Sequence, residues 1–124
     1  MDFSITDEGR FIGARMAGPW TMEEICSKAE PILAECLQRK RDLLLIDLMG
    51  LANQPVSTID RYRLGSSMVS FSGKLRRIAT AATREFIDTE RFGERVARNR
   101  GVNVQVFESL ETAKKWLLET SRKR

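Results

Sequence analysis

Residues 43 to 46 read Leu-Leu-Leu-Ile, followed by Asp47. Four aliphatic side chains in a row, with no polar residue between them, mark a strand buried on both faces, and such strands occur in parallel sheets covered by helices. The segments on either side fit that frame. Phe3 and Ile5 alternate with polar neighbours, "DEGR" supplies a turn, and Ile12, Ala14 and Met16 alternate with Gly13, Arg15 and Ala17, which predicts an N-terminal β-hairpin ended by Gly18-Pro19-Trp20. Thr21 and Glu24 form a capping-box pattern that opens a helix from Met22 to about Gln38. Pro31 lies within it and predicts a kink or two short helices, because proline removes a backbone donor and crowds the preceding turn.

After the aliphatic run comes the loop "MGLANQPV", then a helix from Ser57 or Thr58 to about Phe71. A third strand region follows with Ile78 to Ala82 buried. Asp88 or Thr89 caps the next helix, "ERFGERVARNR", which Gly101 closes in a left-handed conformation. "VNVQVF" is the last strand, and Ser109 caps a final helix carrying Leu110, Ala113, Trp116 and Leu117. The expected fold is α/β: a mixed, mostly parallel five-stranded sheet with an N-terminal hairpin and four helices distributed over both faces. A length of 124 residues, 42% of them hydrophobic, suits a single domain spanning the chain.

Composition excludes several chemistries. The absence of histidine removes Ser-His-Asp and Cys-His catalysis and every histidine metal site. Cys26 and Cys36, if on one helix, stand about 15 Å apart, too far for a disulfide, and read as buried packing thiols. No cofactor is implied. An enzyme would have to draw on Asp47, Asp60, Tyr62 and Arg84, whose spacing demands no such role. The net charge of +4 is spread over short clusters (Arg39 to Arg41, Arg76-Arg77, Arg122 to Arg124) against 17 acids, and only nine aromatics are available for stacking, so nucleic acid is a minor alternative. No apolar run approaches the roughly 20 residues of a membrane span, and the start lacks a signal-peptide pattern, so a cytoplasmic location is expected.

"AGPWTMEE" entering the first helix, "LLLIDLMG", "RIATAAT" and "ERVARNRGVNVQVFESLETAKKWL" together resemble the SpoIIAA-like family, whose members are similar to STAS domains and small CRAL-TRIO lipid carriers. The resemblance covers nearly the whole chain. It implies a small bacterial cytosolic module, often dimeric, with little assigned chemistry.

In open α/β sheets, ligands sit beyond the carboxyl ends of the parallel strands. That rule gathers Asp47, Met49, Asn53, Gln54, Ser57, Thr58, Thr80, Thr83 and Arg84 into a candidate ligand mouth. The resemblance to STAS antagonists makes Ser57, with Thr58 as substitute, a candidate phosphorylation site, although "PVSTID" replaces the family's Asp-Ser-x-Gly pattern and serine is an ordinary helix cap. Tyr62, Leu64, Met68, Val69 and Phe71 span an arc of about 180°, wider than the ~100° stripe that covers a sheet. The surplus belongs to a homodimer contact or lines a site for a small apolar ligand, with Trp20 at its rim. Arg91, Arg95 and Arg98 share a helix face with Glu94 and read as a solvated stripe opposite Phe92 and Val96, or as a dock for an acidic partner. The expected function is a non-catalytic regulatory or protein-interaction module in the form of a homodimer; the alternative is a carrier of a lipid-like ligand.

Overall fold

The computed structural model of the protein describes residues 1–87 and 91–119. The hairpin forms as expected: β1 (Asp2–Asp7) and β2 (Ile12–Gly18) pair antiparallel around Gly9, whose φ of 93° no side-chain-bearing residue adopts readily. Two short helices follow, α1 (Met22–Cys26) and α2 (Ala29–Gln38). Thr21 and Glu24 make the reciprocal capping box. The break at Ser27 and Lys28 lies just ahead of Pro31, placing the proline in the first turn of α2, where its missing N–H costs nothing. Cys26 and Cys36 are therefore on different helices, both unpaired; Cys36 is buried and Cys26 only half-buried.

The central strand β3 runs Leu43–Leu51, longer than the aliphatic run alone suggests. Then come α3 (Thr58–Ser67), a tighter 3-10 turn (Met68–Phe71), β4 (Arg77–Ala81), α4 (Phe92–Asn99), β5 (Val104–Phe107) and α5 (Leu110–Leu118). Ser57 and Ser109 cap α3 and α5, and Gly101 closes the turn after α4 with φ of 88°. Asp88 and Thr89, the expected caps of α4, the side chain of Phe92 and the basic cluster Arg122 to Arg124 lie outside the described residues.

The strands stand in the order β1-β2-β3-β4-β5, and every pair after the hairpin is parallel. Each crossover thus moves to the next position in the same direction, so crossovers of one hand leave their helices on one face. The cores show this. Ile25, Ile32, Cys36, Met68, Phe71 and Ala97 pack with Leu44, Ile46 and Ile78 on one side. On the other, α5 is the one described helix, covering Leu43, Leu45, Ala79 and Ala81 through Ala113 and Leu117, with Phe11 from the hairpin turn packed in the same cluster. Helices occupy both faces, but unequally.

Most of the basic clusters have structural work. Arg39 and Lys40 close α2, with Lys40 left-handed at φ 57°, and Arg41 grips both carboxylate oxygens of Asp7 at 3.1 and 3.2 Å. Arg77 donates to the carbonyls of Trp116, Leu117 and Glu119, satisfying the last turn of α5.

Candidate functional site

Between the sheet and the four-helix layer lies an apolar cavity of about 90 Å³. Its wall includes Met16, Ile46 and Val104 from the sheet, Ile32 from α2, Leu64 from α3 and Phe71. The space follows from side-chain size: where β3 presents Ile46 and Leu48 to this layer, β4 and its extension present only Thr80 and Ala82, and α2 presents Ala29. Thr80 is the one buried polar residue among those described, and it borders this cavity. Arg61 also borders it, donating to the carbonyl of Phe86.

The expected mouth is assembled only in part: Asn53, Gln54 and Thr83 line one small pocket of about 10 Å³, which Asp47, Ser57, Thr58, Thr80 and Arg84 do not line. Because β3 continues to Leu51, Asp47 stands within the strand rather than at its carboxyl end. In the β3–β4 register Ile46 pairs with Thr80 and Asp47 with Ala81, so Asp47 and Thr80 point to opposite faces. Asp47 is on the α5 side, accepting from the Met49 amide at 3.0 Å and lying 3.7 Å from Arg15. Gln54 acts as a clip: its amide nitrogen donates to the Trp20 carbonyl at 2.8 Å and its oxygen accepts from the Trp20 amide at 3.1 Å. The Trp20 indole donates to the carbonyl of Ala52 at 2.8 Å and its ring meets Phe86 edge-on. Trp20 is thereby core, 6% exposed. Asn53 is exposed beside this clip, Thr83 accepts the turn amides of Phe86 and Ile87 with its carbonyl, and Arg84 reaches outward to Glu108 at 3.3 Å. Of the residues expected at the mouth, Thr80 alone borders the apolar cavity. A fold wound in one direction has no position where strand order reverses, the feature that opens a crevice at the strand ends of doubly wound sheets.

Ser57 accepts the Asp60 amide at 3.0 Å and Thr58 begins the helix, both exposed. Met68 and Phe71 are buried, but the surplus apolar surface of this region is real. Ile59 is 64% exposed, Tyr62 46% and Val69 49%, and the spacing puts them along one outer face. Arg100 lies over the Tyr62 ring and donates to its hydroxyl at 2.9 Å.

The charged face of α4 departs from the expected solvated stripe. Arg91 donates to the carbonyl of Val106 at 2.6 Å, Glu94 accepts the amide of Val106 at 3.0 Å, and Arg98 donates to the carbonyl of Val104 at 2.7 Å. Three side chains one turn apart do for the edge of β5 what a neighbouring strand would do. The spacing Arg-x-x-Glu-x-x-x-Arg carried this signal, since it sets alternating donors and an acceptor along one line. Its partner could not be read without knowing that β5 is an edge. No group of histidine, cysteine or carboxylate residues able to hold a metal occurs among the described residues, and no described helix is long and apolar enough to cross a membrane.

Among solved structures, the chain is similar to an uncharacterised protein of the DUF3478 family with a SpoIIAA-like fold from Shewanella loihica PV-4. The TM-score is 0.56 and the identity 18%, over 94% of this chain and 92% of that one. No protein-family model matches the sequence, and no curated protein matches it significantly. The likeness shows the fold alone, a SpoIIAA-like α/β sheet.

Proposed function

We propose that this chain, with its SpoIIAA-like fold, is a non-catalytic interaction module that works as a homodimer and engages a protein partner through the outer face of α3 and its 3-10 extension. The observation that carries the reading is the exposed line Ile59, Tyr62 and Val69. Three of the four large hydrophobics left exposed among the described residues belong to this one element, which the fold has no need to leave uncovered. Arg63, itself well exposed, and Arg100 border the line, giving it the apolar centre and charged rim of a recognition surface. The test compares wild type with the Ile59→Glu/Val69→Glu double variant as baits in host lysate. A partner held by wild type and lost by an equally folded variant supports the reading; identical capture by both, or none by either, overturns it.

The apolar cavity supports a second reading, a site for a compact apolar ligand with one polar atom near Thr80. Its volume is below the ~150 Å³ of an engineered cavity that admits benzene, so a whole lipid chain would need the helical layer to move. Solvent extraction of natively purified protein followed by mass spectrometry distinguishes a retained small molecule from an empty core.

A further inference from the structure

The two edges of the sheet are finished differently. On β5, Asn103 and Phe107 accept from β4, so the outward backbone groups belong to Val104 and Val106; Arg91, Glu94 and Arg98 take up three of them, and the Val104 amide donates to the Val102 carbonyl. On β1 the phase is set by the hairpin, where the Glu8 amide donates to the Phe11 carbonyl at 2.9 Å. With Glu8 and Phe11 a bonded pair, antiparallel alternation makes Thr6, Ser4 and Asp2 bond to β2, while Asp7, Ile5 and Phe3 turn their N–H and C=O groups outward. Among the described residues, no strand or side chain takes up those outward groups.

We propose that β1 is the homodimer contact: two copies pair edge to edge, antiparallel, with Ser4 on the two-fold axis and Phe3 opposite Ile5 of the second copy. This deepens the homodimeric reading above and rests on it. Only outward-facing residues form bonded pairs, so a two-fold axis can pass through Phe3, Ser4, Ile5 or Thr6 but not between residues; an axis at Thr6 bonds only Ile5 with Asp7 and leaves Phe3 without a bonded partner on β1. An axis at Phe3 leaves Ile5 without a bonded partner on β1. An axis at Ile5 sets Asp2 against Glu8 of the second copy, two like charges directly opposed. The axis at Ser4 uses Phe3 and Ile5 of both copies, matches an aromatic with a β-branched residue on the helical face, and sets Asp2 against Thr6. Such a contact is isologous, as a closed dimer requires, and joins two five-stranded sheets into one of ten.

The register predicts a cysteine pattern. Residues on the axis form a non-bonded pair with Cα atoms about 4.5 Å apart, within disulfide reach. Ser4→Cys should therefore cross-link to itself under mild oxidation. Asp2→Cys alone and Thr6→Cys alone should not, since each lies about 14 Å from its own copy, but a mixture of those two variants should form the mixed disulfide. Intact mass reads the products, with wild type as the baseline for Cys26 and Cys36, and native mass spectrometry of wild type reads the subunit number. A dimeric wild type without this pattern, or equal cross-linking by every variant, overturns the β1 contact and leaves the homodimer standing. A monomeric wild type overturns both.

Discussion

Gly65 of α3 faces the backbone of Gly93 in α4 so closely that a Cβ on Gly65 would stand 2.5 Å from the Gly93 carbonyl oxygen and 2.8 Å from Cβ of Val96. The approach is reciprocal, because a Cβ on Gly93 would meet the Arg61 carbonyl at 3.2 Å. Backbone cannot rotate aside as a side chain can. Gly65→Ala should push the helices apart and cost about 1–3 kcal/mol, despite alanine's better helix propensity, whereas Gly93→Ala should cost less. Urea unfolding of the two variants checks the order; a neutral Gly65→Ala would mean that the helices separate freely.

The Gln54 clip ties the end of β2 to the loop after β3. Gln54→Ala removes both bonds and leaves the part-buried amide and carbonyl of Trp20 without them, a loss of about 1–3 kcal/mol. Trp20 fluorescence should shift toward the solvent-exposed value before global unfolding. An unchanged spectrum and midpoint would assign the anchoring to the indole bond with Ala52 alone.

Glu94 is the acceptor in the row that covers β5. Glu94→Ala should free the Val106 amide to exchange faster with deuterium, and should raise the protein's tendency to aggregate, since a bare strand edge is a template for pairing. Glu94→Gln keeps an oxygen acceptor in place and should restore protection. Equal exchange in all three proteins would show that the edge needs no cover.

The two thiols should separate by reactivity. Burial raises both, Cys36 to about 11 against an ordinary 9.0, with Glu35 adding to the shift; Cys26 is raised by burial, opposed by a hydrogen bond from Ser67. At pH 8 iodoacetamide should modify Cys26 first and Cys36 only on unfolding. A folded pKa above the unfolded one means that the native state keeps the proton where the unfolded chain has lost it, so stability present below pH 9 declines as pH rises from 9 toward 11. A Cys36→Ala variant whose stability falls as steeply over that window would trace the decline to another group.

At the acid end the sign reverses. The Gly9 amide and the Arg41 guanidinium hold the Asp7 carboxyl below its ordinary 3.8. Its contribution is therefore present above that value and is lost as pH falls through the folded pKa. Asp7→Asn should flatten the acid limb of the stability curve; an unchanged limb would mean that the exposed pair is fully screened.

Local chemistry made most of the fold legible. The Leu43 to Ile46 run, the capping box at Thr21, the serine caps and Gly101 each carry their structural reason in adjacent residues. What escaped depended on partners distant in the chain. Asp47 looks like the end of a strand because a carboxylate interrupts an aliphatic run, yet pairing with β2 carries β3 on through Gly50, which tolerates the close approach of Ala17. Asp47 and Thr80 look like neighbours at one mouth until the β3–β4 register sets their parity. The α4 stripe looks solvated because its partners are backbone groups of β5, invisible to any pattern of side chains. Exposed Tyr62 and Val69 were legible as surplus, whereas buried Met68 and Phe71 in the same segment were not separable from them without the 3-10 turn.

The strand order has a consequence for how the chain acquires its structure. No strand is inserted between two already paired; each one leaving the ribosome adds to the free border of the one before. Assembly can proceed in step with synthesis, and the pairing of consecutive strands keeps loop closures short. The exception is α5, which follows all five strands and is the one described helix over Leu43, Leu45 and Ala79. Until it docks, the nascent sheet has one finished side and one greasy side, and this interval is when a chaperone would have most to hold.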